Sequence, residues 1–276
     1  MADLGKINSL NIVKKTDFGY YLDGGNMGEI LLPKRYMTAD MKIGEPLDVI
    51  VFLDGEERYV ATTETPIATV GQVGYLKVKS VEKVGAFLDW GVSKELLVPF
   101  SEQKVKMEVG KSYIVYLYVD KITDRITGSM RLERFLQKKA PTFKEGDAVK
   151  ILVWVKTDLG YKCIIDHQWI GVLYANELLQ SIHTGQSTSA YIKKIRPDGK
   201  VDLTLQPIGR TKLDHGGEVI LRMLEKSGGK LPYSDKTDPE VIYSIFKMSK
   251  KAFKASIGNL YKLRKIVIED NGIKLV

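Results

Sequence analysis

Three quarters of the sequence repeat one unit. The run Phe18–Asp23 returns 66 residues later as Val84–Asp89. Without any gap, the same shift aligns Leu32-Pro33 with Val98-Pro99, Gly44 with Gly110, Val49 with Val115 and Asp54 with Asp120. A second shift, of 75 residues, gives a more diverged copy in which Gly85 aligns with Gly160. Chance matches do not keep register through two gapless shifts, so the sequence predicts three copies of one structural unit.

Each copy has the two-residue period of β-strands. In the second copy, Tyr75, Lys77 and Lys79 alternate with Gly74, Leu76 and Val78, and the run 114–119 is β-branched and aromatic throughout. Gly19, Gly85 and Gly160 interrupt apolar runs, which is typical of a bulge or a barrel corner where a side chain would clash. About five short strands in about 70 residues, without a long amphipathic helix, indicate a small closed barrel of the OB type.

From Asp214 onward the apolar period changes to 3.6 residues. A first helix runs over 218–226 and stops at Ser227-Gly228-Gly229, and a second begins at Thr237-Asp238-Pro239-Glu240. Ser249 is the expected N-cap of a third helix, and Asn271-Gly272 is a strong hairpin signal. Three helices followed by a hairpin is the order of a winged helix, a variant of helix-turn-helix.

These patterns together predict a mainly β protein made of four modules. Three tandem five-stranded OB-fold barrels occupy residues 1–68, 69–140 and 141–208. An α+β winged-helix domain occupies residues 209–276.

The formal net charge of +8 is unevenly distributed over these modules. The first barrel has a net charge of −4, the second +5, the third +1 and the winged helix +6. A polyanion is therefore expected to bind the second barrel and the winged helix rather than the first barrel.

The second barrel offers candidate nucleic-acid contacts. OB barrels bind single strands by stacking bases on exposed aromatic rings and following the phosphates with basic side chains. The candidate platforms are Phe87, Trp90 and Phe100, and the candidate phosphate contacts are Lys77, Lys79, Lys83, Arg125 and Arg131. Each ring, taken alone, fits a place in the barrel core equally well, and Phe87 is favoured as the platform.

The predicted third helix carries a second basic group. Lys250, Lys251, Lys254, Lys262 and Lys265 are the candidate contacts, and the last four are expected to share one helical face. A lysine face is more often only solvated. Its position where a recognition helix belongs, with Gly258 between Lys254 and Lys262, favours binding.

No catalytic, metal or cofactor site is predicted. The sequence has no P-loop and no Gly-x-Ser-x-Gly elbow, and the single cysteine, Cys163, has no histidine tied to it by a motif. His167, His183 and His215 lack metal-ligand spacing. No signal-peptide pattern opens the chain and no run reaches 18 apolar residues, so a soluble cytoplasmic protein without membrane contact is expected.

The second copy resembles the S1 RNA-binding domain. The resemblance rests on Gly85–Leu88, Leu96–Glu102 and the segment from Asp120 through Arg125 to Arg131. It implies that Phe87 stacks on a base and that Asp120 and Arg125 lie beside the RNA.

The whole chain resembles the bacterial conserved virulence factor B family. Three S1-like units precede a winged helix, and the terminal segments 231–240 and 249–262 are the most specific part of the match. The resemblance implies RNA binding that affects the expression of other genes, without an assigned enzymatic activity.

The sequence is compatible with three functions. The first is a non-enzymatic RNA-binding regulator that holds single-stranded RNA. The second is a DNA-binding transcription regulator that uses the third helix in a major groove. The third is an adaptor that docks onto the ribosome or RNA-processing proteins. No dimerisation helix is evident, which favours a monomer.

Overall fold

The computed structural model describes residues 2–137, 142–178, 181–207, 215–269 and 271–276. Within these ranges the chain forms three closed barrels followed by helices and a small sheet, which confirms the predicted fold class. The first barrel consists of β1 (Ile7–Lys15), β2 (Gly19–Asp23), β3 (Glu29–Pro33), β4 (Pro46–Leu53) and β5 (Tyr59–Thr62). The second consists of β6 (Val73–Glu82), β7 (Gly85–Asp89), β8 (Leu96–Pro99), β9 (Ser112–Val119) and β10 (Ile126–Ser129). The third consists of β11 (Ala148–Thr157), β12 (Gly160–Ile165), β13 (Trp169–Tyr174), β14 (Ser187–Ile195) and β15 (Val201–Thr204).

All three barrels share one strand order. The first strand pairs with the second and the fourth, and the fifth strand lies between the third and the fourth. In the first two barrels the third and fifth strands pair in parallel, with Leu31 opposite Val60 and Leu97 opposite Thr127. This closure is the OB-type arrangement that the sequence predicts.

The sequence repeat corresponds to a repeat of local backbone geometry. Each first strand has a bulge at the equivalent place, after Ile12, Val78 and Val153. The carbonyl groups of these residues accept hydrogen bonds from Gly44 N (2.7 Å), Gly110 N (2.9 Å) and Gly185 N (2.8 Å), respectively. The two shifts found in the sequence therefore describe one structural unit used three times.

The glycine that opens each second strand leaves no room for a side chain. Gly85 has a φ of +154°, and a Cβ atom built on it would lie 2.3 Å from the carbonyl oxygen of Val98 on the neighbouring strand. The equivalent glycines, Gly19 and Gly160, have φ values of +152° and +145° and the same conflict with Leu32 and Leu173. The expected clash at these positions is confirmed.

Alternation along the second strands places every other side chain in a barrel core. On β7, Ala86 and Leu88 are buried, whereas Phe87 and Asp89 are half-exposed. Cys163 on β12 occupies the core position of Leu88 and is fully buried. Burial raises the pKa of its thiol to about 12, so Cys163 acts as a small buried apolar residue.

The C-terminal part has the predicted winged-helix order. It consists of α1 (His215–Lys226), β16 (Lys230–Leu231), α2 (Pro239–Phe246), α3 (Lys250–Lys262), β17 (Ile266–Glu269) and β18 (Gly272–Leu275). The sheet order is β16-β18-β17. The two-residue strand β16 was not predicted, because it is too short to show a period. Buried side chains from all three helices and the sheet, among them Leu224, Phe246, Phe253 and Ile273, form one core.

The predicted helix signals act as caps. The Asp238 side chain accepts a hydrogen bond from Glu240 N (2.8 Å), and the Ser249 side chain accepts one from Ala252 N (3.2 Å). One prediction is wrong: α3 ends at Lys262, so Lys265 lies beyond the helix, in the turn before β17. The chain turns there because Arg264 adopts a left-handed conformation with a φ of +53°.

Replacing Ser249 by alanine removes the acceptor for an orphan N–H at the start of α3. The expected cost is about 1 kcal/mol of the free energy of unfolding. Urea unfolding followed by circular dichroism measures this cost, with Ser227→Ala in the exposed turn after α1 as the control. Equal effects of the two substitutions would contradict the capping role of Ser249.

Two compact units can be distinguished. One comprises Met1–Thr142, Val149–Ser189 and Arg196–Asp202, and the other Phe143–Ala148, Ala190–Ile195 and Leu203–Val276. The predicted domain boundaries at 140/141 and 208/209 lie outside the described residues. The limits of the four domains therefore stay predictions. None of the helices in the described ranges has the length and apolar character needed to cross a membrane.

Candidate nucleic-acid interface

The outer face of β7 and β8 presents Phe87. The ring is half-buried, and its strand partners are Ser80 on β6 and Leu97 on β8. Leu97 is itself half-buried and pairs with Thr127 on β10. This places one aromatic ring and one leucine side by side on the barrel surface.

A pocket of about 350 Å³ lies over this face. On the side of the second barrel its lining includes Phe87, Leu97, Val84 from the β6–β7 turn, and Thr123 and Arg125 from the β9–β10 loop. The second and third strands and these two loops are the parts of an OB fold that bind oligonucleotides. The geometry therefore supports base stacking on Phe87, with Arg125 in reach of a phosphate.

The predicted lysines of the second barrel are exposed. Lys77 and Lys79 project from β6, and Lys83 lies in the turn that follows. The Lys79 ammonium lies 3.8 Å from a carboxylate oxygen of Asp89. An exposed ion pair at this distance contributes little, so all three lysines remain available to an anion.

Asp120 and Arg131 are partly engaged by the protein itself. The Asp120 carboxylate accepts hydrogen bonds from Thr123 N (3.0 Å) and Ile122 N (3.1 Å), which lower its pKa. Asp120 therefore fixes the β9–β10 loop that carries Arg125. The Arg131 side chain is exposed, and its Nε donates to the carbonyl of Ser101 (2.9 Å). Its terminal nitrogens are the groups left to face a ligand.

The prediction that Trp90 is an exposed stacking platform is wrong. Its side chain is only 1% exposed, and its Nε1 donates to the carbonyl of Lys94. Trp90 is two residues beyond Leu88 and four beyond Ala86, so in an extended chain all three side chains face the same side. Strand alternation alone could therefore have placed Trp90 in the core. Phe100 is 45% exposed, but it borders a different concavity, beside Gln103 and Lys104.

The winged helix presents the second predicted basic group. Lys251, Lys254 and Lys262 are exposed on the side of α3 opposite its buried residues Phe253, Ile257 and Leu260. Lys250 is half-buried. Lys265 is exposed, in the turn after the helix. The Lys254 ammonium lies 3.3 Å from a carboxylate oxygen of Asp235, so this lysine is partly neutralised.

Tyr261 of α3 was not among the contacts predicted from the sequence. Tyr261 is 55% exposed and lies seven residues after Lys254, two helical turns along the same face. A Cβ added to Gly258, between them, would meet no atom within 4 Å. The helical spacing from Lys254 was the signal that could have found Tyr261. Its ring adds a stacking surface among the lysines.

The equivalent positions in the other barrels are less suited to binding. In the first barrel, Tyr21 takes the place of Phe87 and lies under the Lys14 ammonium, 4.7 Å from the ring centroid. Lys14 also forms an ion pair with Glu29. In the third barrel, the exposed Lys162 takes the place of the aromatic ring.

Among the described residues, no group of three or more His, Cys, Asp or Glu side chains is arranged to hold a metal ion. The pocket over Phe87 is lined by the cations Lys94 and Arg125 and by one carboxylate, that of Glu95. The exposed side of α3 carries three lysines, of which Lys254 is paired with Asp235. On both surfaces the cations outnumber the carboxylates, which suits an anionic ligand.

Comparison with known proteins identifies the modules. A family model described as "S1 domain" matches residues 4–64 and 70–131, and one described as "CvfB-like winged helix domain" matches residues 218–275. The chain is 30% identical to "Uncharacterized protein YitL" of Bacillus subtilis, over 97% of this chain and 92% of that protein. It is 27% identical to "Conserved virulence factor B" of Staphylococcus saprophyticus, over 99% and 94% of the two chains. A crystal structure of "a multidomain protein with nucleic acid binding domains" from Streptococcus pneumoniae is 25% identical, covers 99% of this chain and 98% of its own, and has a TM-score of 0.42.

Proposed function

The chain belongs to the conserved virulence factor B family, and from this membership and the geometry of its two basic surfaces we propose that it is an RNA-binding regulator. Its S1 and winged-helix domains are nucleic-acid-binding types rather than catalytic ones. The proposal is that it binds single-stranded RNA in the bacterial cytoplasm as a monomer, without catalysing a reaction. Through this binding it affects the expression of other genes.

The single observation that carries the proposal is the surface around Phe87. A half-buried ring on the second strand, next to the β9–β10 loop that holds Arg125, combines a stacking platform with a phosphate contact. Base stacking tolerates any sequence because every base has a π face, whereas the ring of a paired base is covered by its neighbours. This combination favours single strands over duplexes.

The α3 surface supplies the second half of the proposal. Lys251, Lys254 and Lys262 follow one face of the helix, and Tyr261 lies at the edge of that face, two turns from Lys254. Lysines at such positions contact phosphates without reading sequence, and each contact releases counterions from the nucleic acid. Two surfaces that bind through phosphates make the affinity steeply dependent on salt concentration.

A binding titration distinguishes RNA from DNA. Fluorescently labelled single-stranded RNA of about 30 nucleotides, long enough to span two such sites, is compared with duplex DNA of equal length. Tighter binding of RNA, with affinity that falls as salt rises, supports the proposal. Preference for duplex DNA would overturn it in favour of a transcription regulator that uses α3. Absence of binding to either nucleic acid at low salt would point to an adaptor, whose ribosomal or RNA-processing partner affinity purification would recover.

Replacing Phe87 by alanine removes the proposed platform and leaves the charges unchanged. The expected loss of affinity for single-stranded RNA is about 1–3 kcal/mol, or roughly 5- to 150-fold. Fluorescence anisotropy measures this loss at constant salt.

Phe18→Ala is the matched control for Phe87→Ala. It deletes the same ring from the β1–β2 turn of the first barrel, where Phe18 is 74% exposed. We expect at most a small effect from this control. Comparable losses in the two variants would contradict the assignment of Phe87 as the principal platform.

A further inference from the structure

The pocket over Phe87 has a second wall that belongs to the first barrel. Phe52 and Leu53, at the end of β4, line it together with Phe87 and Leu97 of the second barrel. Phe52 is 5% exposed and Leu53 is half-buried. The pocket is therefore an apolar slot between two barrels rather than a hollow on one barrel.

Several interactions hold this second wall in place. Ile67 N donates to the carbonyl of Trp90 (2.7 Å), and Val70 N donates to the carbonyl of Gly5 (2.8 Å). Ile50 of β4 packs into the buried cluster of the second barrel. The two barrels thus form one framework around the slot.

A carboxylate strengthens the same junction. Glu64 of the first barrel accepts hydrogen bonds from Ser93 N (2.7 Å) of the second barrel and from the hydroxyl of Tyr36 (3.1 Å). Burial alone would raise the pKa of Glu64, but these hydrogen bonds outweigh it and lower the pKa. The carboxylate is therefore charged at neutral pH and links the barrels.

The mouth of the slot carries a cation that is only loosely held. The Arg125 guanidinium lies 3.7 Å from a carboxylate oxygen of Glu57, in the β4–β5 turn of the first barrel. The Glu57 side chain is 79% exposed, so this contact is well solvated. Lys94 adds a second cation to the lining and Glu95 adds one carboxylate, so the cations remain in excess. A phosphate can form two parallel hydrogen bonds with the guanidinium, which a carboxylate at this distance does not.

We propose that this slot between the first two barrels takes one unstacked base of single-stranded RNA, while the adjacent phosphate displaces Glu57 from Arg125. The base lies between Phe87 on one side and Phe52 and Leu53 on the other. The volume of about 350 Å³ lies at the small end of the range of roughly 300–1,000 Å³ for ligand pockets, as a single base requires. The apolar walls suit the flat faces of a base, and the cationic mouth suits its phosphate.

This inference rests on the proposed function, and it gives the acidic first barrel a part in RNA binding. The first barrel does not bind the RNA phosphates through its own charged side chains. It closes the binding slot of its neighbour, and its β4–β5 turn competes with the ligand for Arg125.

Photo-crosslinking tests the shared wall directly in the full chain. Single-stranded RNA that carries 4-thiouridine is bound, irradiated and digested, and the crosslinked peptides are identified by mass spectrometry. The proposal predicts crosslinks both to the peptide with Phe52 and Leu53 and to the peptide with Phe87. Crosslinks to the Phe87 peptide without any to 52–53 would overturn the shared slot and leave RNA binding intact. Absence of RNA binding would instead refute the proposed function.

Glu57 and the RNA phosphate compete for Arg125 in this proposal. Removal of the Glu57 charge should therefore strengthen RNA binding, whereas Phe87→Ala weakens it. Replacing Glu57 by glutamine is expected to tighten binding of single-stranded RNA by roughly 1.4- to 5-fold, the range for loss of one exposed ion pair. Anisotropy titration at low salt measures the change.

The matched control is Glu56→Gln in the same turn, which removes an equal charge. Arg58, the partner of Glu56, stays bound to Asp54 by two hydrogen bonds of 3.0 and 2.8 Å. We expect the control to change the affinity by less than half as much. Equal gains in the two variants would show that only the net charge of the turn matters, and the competition for Arg125 would be wrong.

Discussion

The double variant Lys251→Glu/Lys262→Glu is expected to bind single-stranded RNA roughly 30-fold more weakly than the unchanged chain. Each reversed residue loses a phosphate contact of about 1 kcal/mol, so the sum is about 2 kcal/mol. The two side chains are exposed on one face of α3, where reversal disturbs no buried partner. The salt dependence of the binding constant should also become shallower, by about 1.4 in the slope of log K against log salt.

Lys254 is left unchanged in this variant for a structural reason. It pairs with Asp235, so a glutamate there would place two carboxylates together and would destabilise the fold as well as the binding. The control is Arg222→Glu/Lys226→Glu on α1, which changes the net charge of the same module equally. If that control loses as much affinity, the binding follows overall charge and α3 is no specific surface.

Replacing Gly85 by alanine is expected to lower the free energy of unfolding by about 3 kcal/mol. The new Cβ would lie 2.3 Å from the carbonyl oxygen of Val98 and 2.8 Å from Pro99 Cα, both in backbone of β8 that cannot move independently. Overpacking and an unfavourable φ of +154° both contribute to this cost. Because Gly85 opens the strand that carries Phe87, any shift of β7 should also weaken RNA binding.

Gly110→Ala separates the two contributions. Gly110 has a φ of +83°, but a Cβ there would meet nothing within 4 Å. Gly110→Ala should therefore lower the free energy of unfolding only by the cost of a left-handed backbone conformation for alanine, about 1–2 kcal/mol. Urea unfolding of both variants measures the difference. Equal costs would show that the close approach of β7 and β8 is not what requires glycine at position 85.

The barrels could be predicted because the repeat makes one pattern visible three times. A bulge or a strand-opening glycine is a weak signal in one copy, but Gly19, Gly85 and Gly160 recur at fixed shifts. The helices of the last module were predictable for a different reason. Their caps, Asp238 and Ser249, are local interactions that the nearby sequence specifies.

The candidate site was less predictable because it depends on which side of a strand faces outward. Trp90 was misplaced although its parity with Leu88 put it in the core. Phe52 and Leu53 could not be connected with Phe87 at all, since they lie in another barrel and meet it through tertiary packing. The number of cations on α3 was visible in the sequence, but the end of the helix before Lys265 depends on the backbone of Arg264.

The burial of Cys163 allows selective labelling of a cysteine introduced elsewhere in the chain. The sequence has one cysteine, and its thiol is buried with a pKa of about 12, so it reacts slowly with maleimides at neutral pH. A cysteine introduced at an exposed position can therefore carry a fluorophore without removal of the native one. In mild denaturant, the rate at which Cys163 becomes reactive reports the opening of the third barrel separately from the rest of the chain.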